Sequence, residues 1–298
     1  MHSVEQLLTK LNLTVVTTFT SGHKCQTVYK VCTADHRSLV LKVGTDPQAI
    51  AEIQKNLRGY DNLRKAGLNF FIPEIVDSNK SRYEAFILME YCGNCFSELA
   101  LRSKKPHRLY ERLVETVSSV YSVSKTDGTS ARTFLSNVQS EICKQYRIYL
   151  QHIFDPTRLI ESLLENVIHV IDFNCPHCCF ASWDFTPQNV FLTRGGVKYV
   201  DPNDIVVGIP IIDIACFAGV IRDVQKLPGS ASGYGLLEES AFATGHMLGL
   251  SEEKTHKLFN LGRVLQNFLS ARFRVETDKV RAHKFFEEGR VYLEKIVQ

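Results

Sequence analysis

Ala181-Ser-Trp-Asp184-Phe-Thr-Pro-Gln-Asn189-Val-Phe-Leu-Thr193 is followed one residue later by Gly195-Gly-Val-Lys-Tyr-Val-Asp201. The stretch sets out an acid, an amide five residues on, and a second acid twelve residues beyond that. Two short apolar runs, Val190-Phe-Leu192 and Val197-Lys-Tyr-Val200, flank Arg194-Gly-Gly196, a pattern that predicts a tight hairpin. A hairpin brings the outer ends of its strands together, so Asn189 and Asp201 are expected at one edge, with Asp184 on the loop just before it. An Asp oxygen beside an Asn oxygen suits a hard cation such as Mg²⁺. A further, free Asp can orient and deprotonate a hydroxyl.

The residues before this stretch divide into two kinds. Leu13 to Thr20, Thr27 to Cys32 and Ser38 to Val43 are β-branched and apolar runs separated by turn-like breaks, and predict strands. Pro47 to Ala66 has helical spacing, with Ile50, Ile53, Leu57 and Leu63 on the apolar stripe and Gly67 to end it. Glu74 to Asp77 and Tyr83 to Met89 predict two more strands. The result is a five-stranded antiparallel sheet with one helix inserted after the third strand. Helical patterns then take over at 107–126, 131–153, 157–172, 211–226, 236–249, 251–274 and 276–297. Lys125-Thr-Asp-Gly-Thr-Ser and Pro228-Gly-Ser-Ala-Ser-Gly-Tyr-Gly read as loops.

Asp184-x-x-x-x-Asn189, with Asp201 after a short hairpin, resembles the catalytic and metal-binding loops of the aminoglycoside phosphotransferase and choline kinase families. The resemblance implies an α+β, two-lobed protein-kinase-like fold. Residues 1–92 would form a small antiparallel β lobe that binds nucleotide, and 93–298 a larger, mainly helical lobe for catalysis and substrate. It implies an ATP-dependent phosphotransferase that moves the γ-phosphate to a hydroxyl of a small molecule. Asp184 would be the catalytic base, Asn189 and Asp201 the Mg²⁺ ligands. Pro187 matches a proline often found in that loop.

The same resemblance orders the first ninety residues. Lys42, in Leu39-Val-Leu-Lys-Val, is a lysine among apolar strand residues, where an unpaired ammonium is costly. In these families the lysine there holds the α- and β-phosphates and pairs with a helix Glu. Glu52 is the candidate partner, with Asp61 the alternative later in the helix. Thr20-Ser21-Gly22-His-Lys-Cys stands where the phosphate-covering loop falls, with backbone N–H groups and the Ser21 hydroxyl for phosphate oxygens. Phe86-Ile-Leu-Met89-Glu90-Tyr-Cys92 resembles the segment that holds adenine. It would do so through the Glu90 carbonyl and the Cys92 N–H, with Met89 lining the pocket.

Departures from the pattern also bear on function. Ser182-Trp183 stands where His-Gly is usual, and Pro-Asn-Asp204 follows Asp201 where Phe-Gly is usual in kinases. Trp183 and the single-glycine turn keep a second reading open: a nucleotide-binding pseudokinase or regulatory module without turnover. Gly208-Ile-Pro-Ile-Ile-Asp213 resembles a segment in which the Asp starts a buried helix, caps it, and bonds the catalytic-loop backbone. Only eleven residues separate Asp201 from Asp213, without an Ala-Pro-Glu motif, which leaves no room for the peptide platform of protein kinases. Aminoglycosides, amino alcohols and sugars are the candidate acceptors. Glu238, Glu239, Glu276 and Asp278 are carboxylates available for a cationic one, beside Arg272 and Arg274.

Composition excludes several other classes. The chain of 298 residues is 44% hydrophobic and 22% charged, ordinary for a globular protein. A net charge of +3 falls short of the basic footprint of a nucleic-acid binder. The first ten residues lack the apolar core of a secretory signal. The longest apolar run, Ile205 to Ile221, is broken by Pro210 and Asp213 and is short for a membrane span. A cytoplasmic protein with no nucleic-acid or membrane partner is expected, and its oligomeric state is not indicated. Nine cysteines, an odd number, argue against a disulfide framework. Cys92-Gly-Asn-Cys95 and Cys175-Pro-His-Cys178 could pair as a structural zinc site, but small buried hydrophobes are the favoured reading.

Overall fold

Alternation along residues 13–44 becomes three strands because β-branched residues fit a pleated, half-buried surface. In the computed structural model β1 is Leu13–Phe19, β2 Thr27–Thr33 and β3 Ser38–Gly44; β4 is Ile75–Lys80 and β5 Ala85–Glu90. They form one antiparallel sheet in the order β1-β2-β3-β5-β4. The structure describes residues 4–19, 27–81, 84–152, 175–182, 185–202 and 207–297. The chain divides into two compact units, Met1–Asn94 with Phe191–Asp204, and Cys95–Val190 with Ile205–Gln298.

Within the first unit the two faces of the sheet do different work. Leu39, Leu41 and Val43 of β3, with Phe86 and Leu88 of β5, pack with Leu7 of a short helix α1 (Val4–Lys10) on one face. The period of two sends Val40 and Lys42 to the other face, opposite Met89 and Ile87. That face carries α2 (Pro47–Lys65), whose Ile50, Ile53, Leu57 and Leu63 are buried as the spacing predicts. Asp46 caps α2, its Oδ1 accepting the Gln48 and Ala49 N–H groups at 2.9 Å each, and Pro47 follows directly after the cap. At the other end Gly67, at φ 77°, makes a Schellman turn: Gly67 N–H donates to Arg64 O, and Leu68 N–H to Leu63 O.

In the second unit α3 is Phe96–Arg102, α4 His107–Val123 and α5 Ala131–His152; β6 (Thr126–Asp127) pairs with β7 (His177–Cys178). The hairpin strands that follow in sequence, β8 (Val190–Thr193) and β9 (Gly196–Tyr199), belong to the first unit except for Val190. Then come α6 (Ile211–Gly219), a π-helical turn Val220–Val224, α7 (Ser230–Met247), α8 (Glu252–Arg272) and α9 (Lys279–Val297). Every residue of α6 is buried. It crosses α8 at Gly262, where a Cβ would lie 2.5 Å from the Ile212 carbonyl oxygen. The expected helix at 157–172 lies outside the described residues. Among the described residues no helix is long and apolar enough to cross a membrane.

Two expectations need correction. Ser230 to Gly235 is not a loop but the first turns of α7. Gly229, at φ 71°, turns the chain. Gly233 is small because a Cβ there would sit 2.6 Å from the Tyr110 ring. Close packing explains Gly233, and local looseness does not. Asp213 lies in the first turn of the buried helix α6 and bonds the Ser182 N–H as expected, but it does not cap the helix: the cap position is Pro210, which has no side-chain cap.

Candidate active site

The hairpin forms as its sequence predicts. β8 and β9 pair across the Arg194-Gly195 turn, and Gly196, the first residue of β9, takes a positive φ of 120° as the chain leaves the turn. Within the first unit β9 is fixed by two contacts. Tyr199 stacks on Phe71 with ring centroids 5.8 Å apart, and Lys198 Nζ donates to Ile72 O at 2.9 Å. Asp201 follows two residues after β9, at φ 56°, a left-handed conformation uncommon outside glycine but more readily taken by Asp and Asn.

Lys42 meets Asp201 there. Lys42 Nζ and Asp201 Oδ1 form an ion pair, with side chains only 6% and 17% exposed. Burying either charge alone is costly, so each accounts for the other's place in the structure. An oxygen donor in a nearly sealed position that already holds a positive charge fits a hard divalent cation. Glu52 is half-buried on α2, and among the described residues no ion pair or hydrogen bond joins it to Lys42. Asp61 is engaged elsewhere, with Lys80 Nζ at 2.8 Å and Arg64 at 3.5 Å.

Two residues that sequence reasoning missed hold the Asp201 backbone. The Asp201 N–H donates to the Tyr60 hydroxyl at 3.2 Å, and Asn56 Nδ2 donates to Pro202 O at 3.4 Å. The Tyr60 hydroxyl in turn donates to Met89 Sδ at 3.6 Å. Burial pushes the Tyr60 phenol far above its ordinary pKa, with the Cys92 thiol adding to the effect, so the hydroxyl keeps its proton for that bond. The available signal was slight: two polar side chains four apart on the helix that carries the apolar positions Ile53, Leu57 and Leu63.

The adenine-holding candidates end the sheet. Met89 is buried in β5, and Glu90 N–H donates to Glu74 O at 2.9 Å. The Cys92 thiol donates to Glu90 O at 3.8 Å. Burial, with the Glu90 carboxylate adding, pushes that thiol up to about 12. Gly93, at φ 84°, turns the chain beyond it.

The second unit holds both flanks of the catalytic-loop candidate. Ser182 N–H donates to Asp213 Oδ2, and Phe185 packs on Phe217 at 5.2 Å. Phe185 N–H donates to Ser182 O at 3.1 Å, and Asn189 N–H to Thr186 O at 2.9 Å, closing a turn ahead of β8. Pro187 is buried, and its carbonyl accepts the Ser97 N–H at 3.3 Å. Complete burial raises the Asp213 carboxyl well above the usual carboxylate range, against the Ser182 hydrogen bond that favours its charged form. Asp184, Trp183, Ser21, Gly22 and Asp204 lie outside the described residues.

The cysteine pairs behave as buried thiols. Cys175 and Cys178 are buried, Cys92 and Cys95 half-buried, and all four are free. Burial raises each of them, Cys178 to about 11. Among the described residues no group of three or more His, Cys, Asp or Glu is gathered to hold a metal ion.

Comparison with known proteins agrees with this architecture. Residues 16–240 match the phosphotransferase enzyme family, and the chain belongs to that family. Its fold is similar to that of an ADP-bound aminoglycoside phosphotransferase, APH(2'')-Ib, with a TM-score of 0.63 at 13% identity over 99% of this chain and 98% of the other. It is also similar to a choline/ethanolamine kinase family protein from Mesorhizobium loti, with a TM-score of 0.61 at 11% identity over 99% of both chains. Choline kinase LicA of Streptococcus pneumoniae aligns with a TM-score of 0.58 at 12% identity over 97% of this chain and 96% of that one. Curated protein sequences contain no match to the chain. The fold is thus the expected one, an antiparallel β unit and a helical unit of the protein-kinase-like kind.

Proposed function

We propose that the protein is an ATP-dependent phosphotransferase acting on a hydroxyl of a small molecule. The observation that carries this reading is the buried Lys42–Asp201 pair, in a chain whose matched span belongs to a phosphotransferase family. Support for the nucleotide comes from similar folds: one is ADP-bound, and another was solved as a ternary complex with streptomycin and ATP. The latter, and the choline kinases, also favour a small acceptor of the aminoglycoside or amino-alcohol kind.

In this proposal Asp184 orients the acceptor hydroxyl and takes its proton. Lys42 turns its ammonium to the α- and β-phosphates, and Glu52, one helical turn ahead of Asn56, takes up the other side of that ammonium. Ser21 and the Gly22 backbone cover the phosphates. The Glu90 carbonyl and Cys92 N–H hold adenine against Met89. Asn189 and Asp201 hold Mg²⁺, which when bound neutralises charge on the phosphate oxygens. Catalysis is then mainly positioning and electrostatics.

The test is ATP consumption with Mg²⁺ by the wild type and Asp184→Asn, across aminoglycosides, amino alcohols and sugars. Acceptor-dependent turnover is expected to fall by about 10²–10⁴-fold in the variant, the range of a lost general base. Turnover that survives the substitution unchanged removes Asp184 from the mechanism.

A further inference from the structure

We propose that Tyr60 and Asn56 of α2 are positioning residues that hold Asp201 ready to ligate a metal. This rests on the reading of Asp201 as a metal ligand. Three observations carry it. Asp201 sits at φ 56°, in the left-handed region, which costs even Asp more than the usual backbone regions and where contacts from its surroundings help to hold it. Its N–H is met by the hydroxyl of Tyr60, a residue with no exposed surface, at 3.2 Å. The next carbonyl, that of Pro202, is met at 3.4 Å by the amide of Asn56, which is 2% exposed.

Asn56 and Tyr60 are four apart, so they lie on one stripe of α2 and act on consecutive residues of the loop. A rigid helix thereby sets the backbone from which the carboxylate projects. Asn56 Oδ1 is buried without a hydrogen-bond partner among the described residues. An apolar side chain of the same size would avoid that cost, so packing does not explain the amide, while its bond to Pro202 does. Tyr60 also bonds Met89 Sδ, so one hydroxyl joins the metal-ligand backbone to the wall of the proposed adenine pocket.

The test is Mn²⁺ binding to the full chain, read by electron paramagnetic resonance of free Mn²⁺, with a saturating non-hydrolysable ATP analogue. Affinity for the analogue alone is measured in EDTA, and thermal melts check folding. Tyr60→Phe keeps the buried ring and removes the acceptor; Asn56→Leu keeps the volume and removes the donor. Each is expected to weaken Mn²⁺ binding by roughly fivefold, the size of one net hydrogen bond, with analogue affinity unchanged in Asn56→Leu, whose amide bonds only the Pro202 carbonyl among the described residues. Asp201→Asn should abolish Mn²⁺ binding. The proposal is overturned if both α2 variants bind Mn²⁺ like the wild type while Asp201→Asn does not. It is equally overturned if Asn56→Leu weakens metal and analogue alike, which is what a general packing defect does. Wild-type Mn²⁺ binding by Asp201→Asn would instead remove Asp201 from the metal site and take the proposal with it.

Discussion

Replacing Lys42 by methionine tests how the first unit holds its charges. The side chain keeps its length and its apolar stem, and only the ammonium is lost. Lys42 and Asp201 are 6% and 17% exposed, so the substitution leaves a carboxylate nearly sealed from water and without its counter-charge. Breaking a buried pair from one side costs about 3–5 kcal/mol. Two effects limit the cost here. The exposed part of Asp201 retains some hydration. The carboxylate can also take up a proton, which at pH 7 costs about 4 kcal/mol for a group of ordinary pKa. The expected loss of stability is therefore about 2–4 kcal/mol, measured by urea unfolding followed by far-UV circular dichroism. Adding Asp201→Asn removes the stranded charge, and the double variant should return to within about 1 kcal/mol of the wild type. A single variant that loses less than about 0.5 kcal/mol, or a double variant no better than the single, would refute the buried-pair argument.

Gly233 and Gly235 lie in the same helix but meet different surroundings. Gly235→Ala, with nothing within 4 Å of the new Cβ, should stabilise by about 0.5–1 kcal/mol. Gly233→Ala, whose Cβ would lie 2.6 Å from Tyr110, should destabilise by about 1–2 kcal/mol even after the helix gain. Urea titration of both variants checks the difference. Asp213 has its folded pKa raised by burial, so it favours the folded state below the ordinary carboxylate pKa and loses that contribution as pH rises through the folded value. Asp213→Asn keeps an acceptor for Ser182 N–H and should melt at or above the wild-type temperature at pH 8, with the advantage gone at pH 4; a lower melting temperature at pH 8 contradicts this. Cys92 and Cys179 are pushed up to about 12 and Cys178 to about 11 by burial. Iodoacetamide at pH 8 should therefore leave all three unmodified in the native protein, as peptide mass mapping would show.

The sheet was legible because each strand carries its own signal: β-branched alternation, punctuated by turns, needs no distant partner to be read. α2 was legible at both ends, since Asp46-Pro47 and Gly67 mark its start and stop through local backbone chemistry. The loop assigned to 228–235 failed for the opposite reason. Gly233 answers to Tyr110, more than a hundred residues away, and composition alone cannot separate a glycine needed for a turn from one needed for a close approach. Lys42 stood out in the sequence as a charge among apolar neighbours. Its partner did not, because Asp201 is 159 residues further on and only folding joins them. Asn56 and Tyr60 carried the faintest signal. Polar residues on an amphipathic helix ordinarily face water, and nothing local shows that these two turn inward.

The Lys42–Asp201 pair also bears on the order in which ligands bind under the proposed function. While the two side chains neutralise each other, neither is available to an incoming group at full strength. A divalent cation approaching Asp201 alone must displace the ammonium and cost it this ion pair in a nearly buried place. A phosphate approaching Lys42 alone must likewise strand the carboxylate. When both come together, each lost contact is replaced as it breaks: Lys42 turns to the phosphates and Asp201 to the cation. The ion pair thus penalises either ligand by itself and lifts that penalty for the pair, which is positive coupling between the two sites. Tyr60 and Asn56 sharpen the effect, since they hold the Asp201 backbone still while its side chain changes partners.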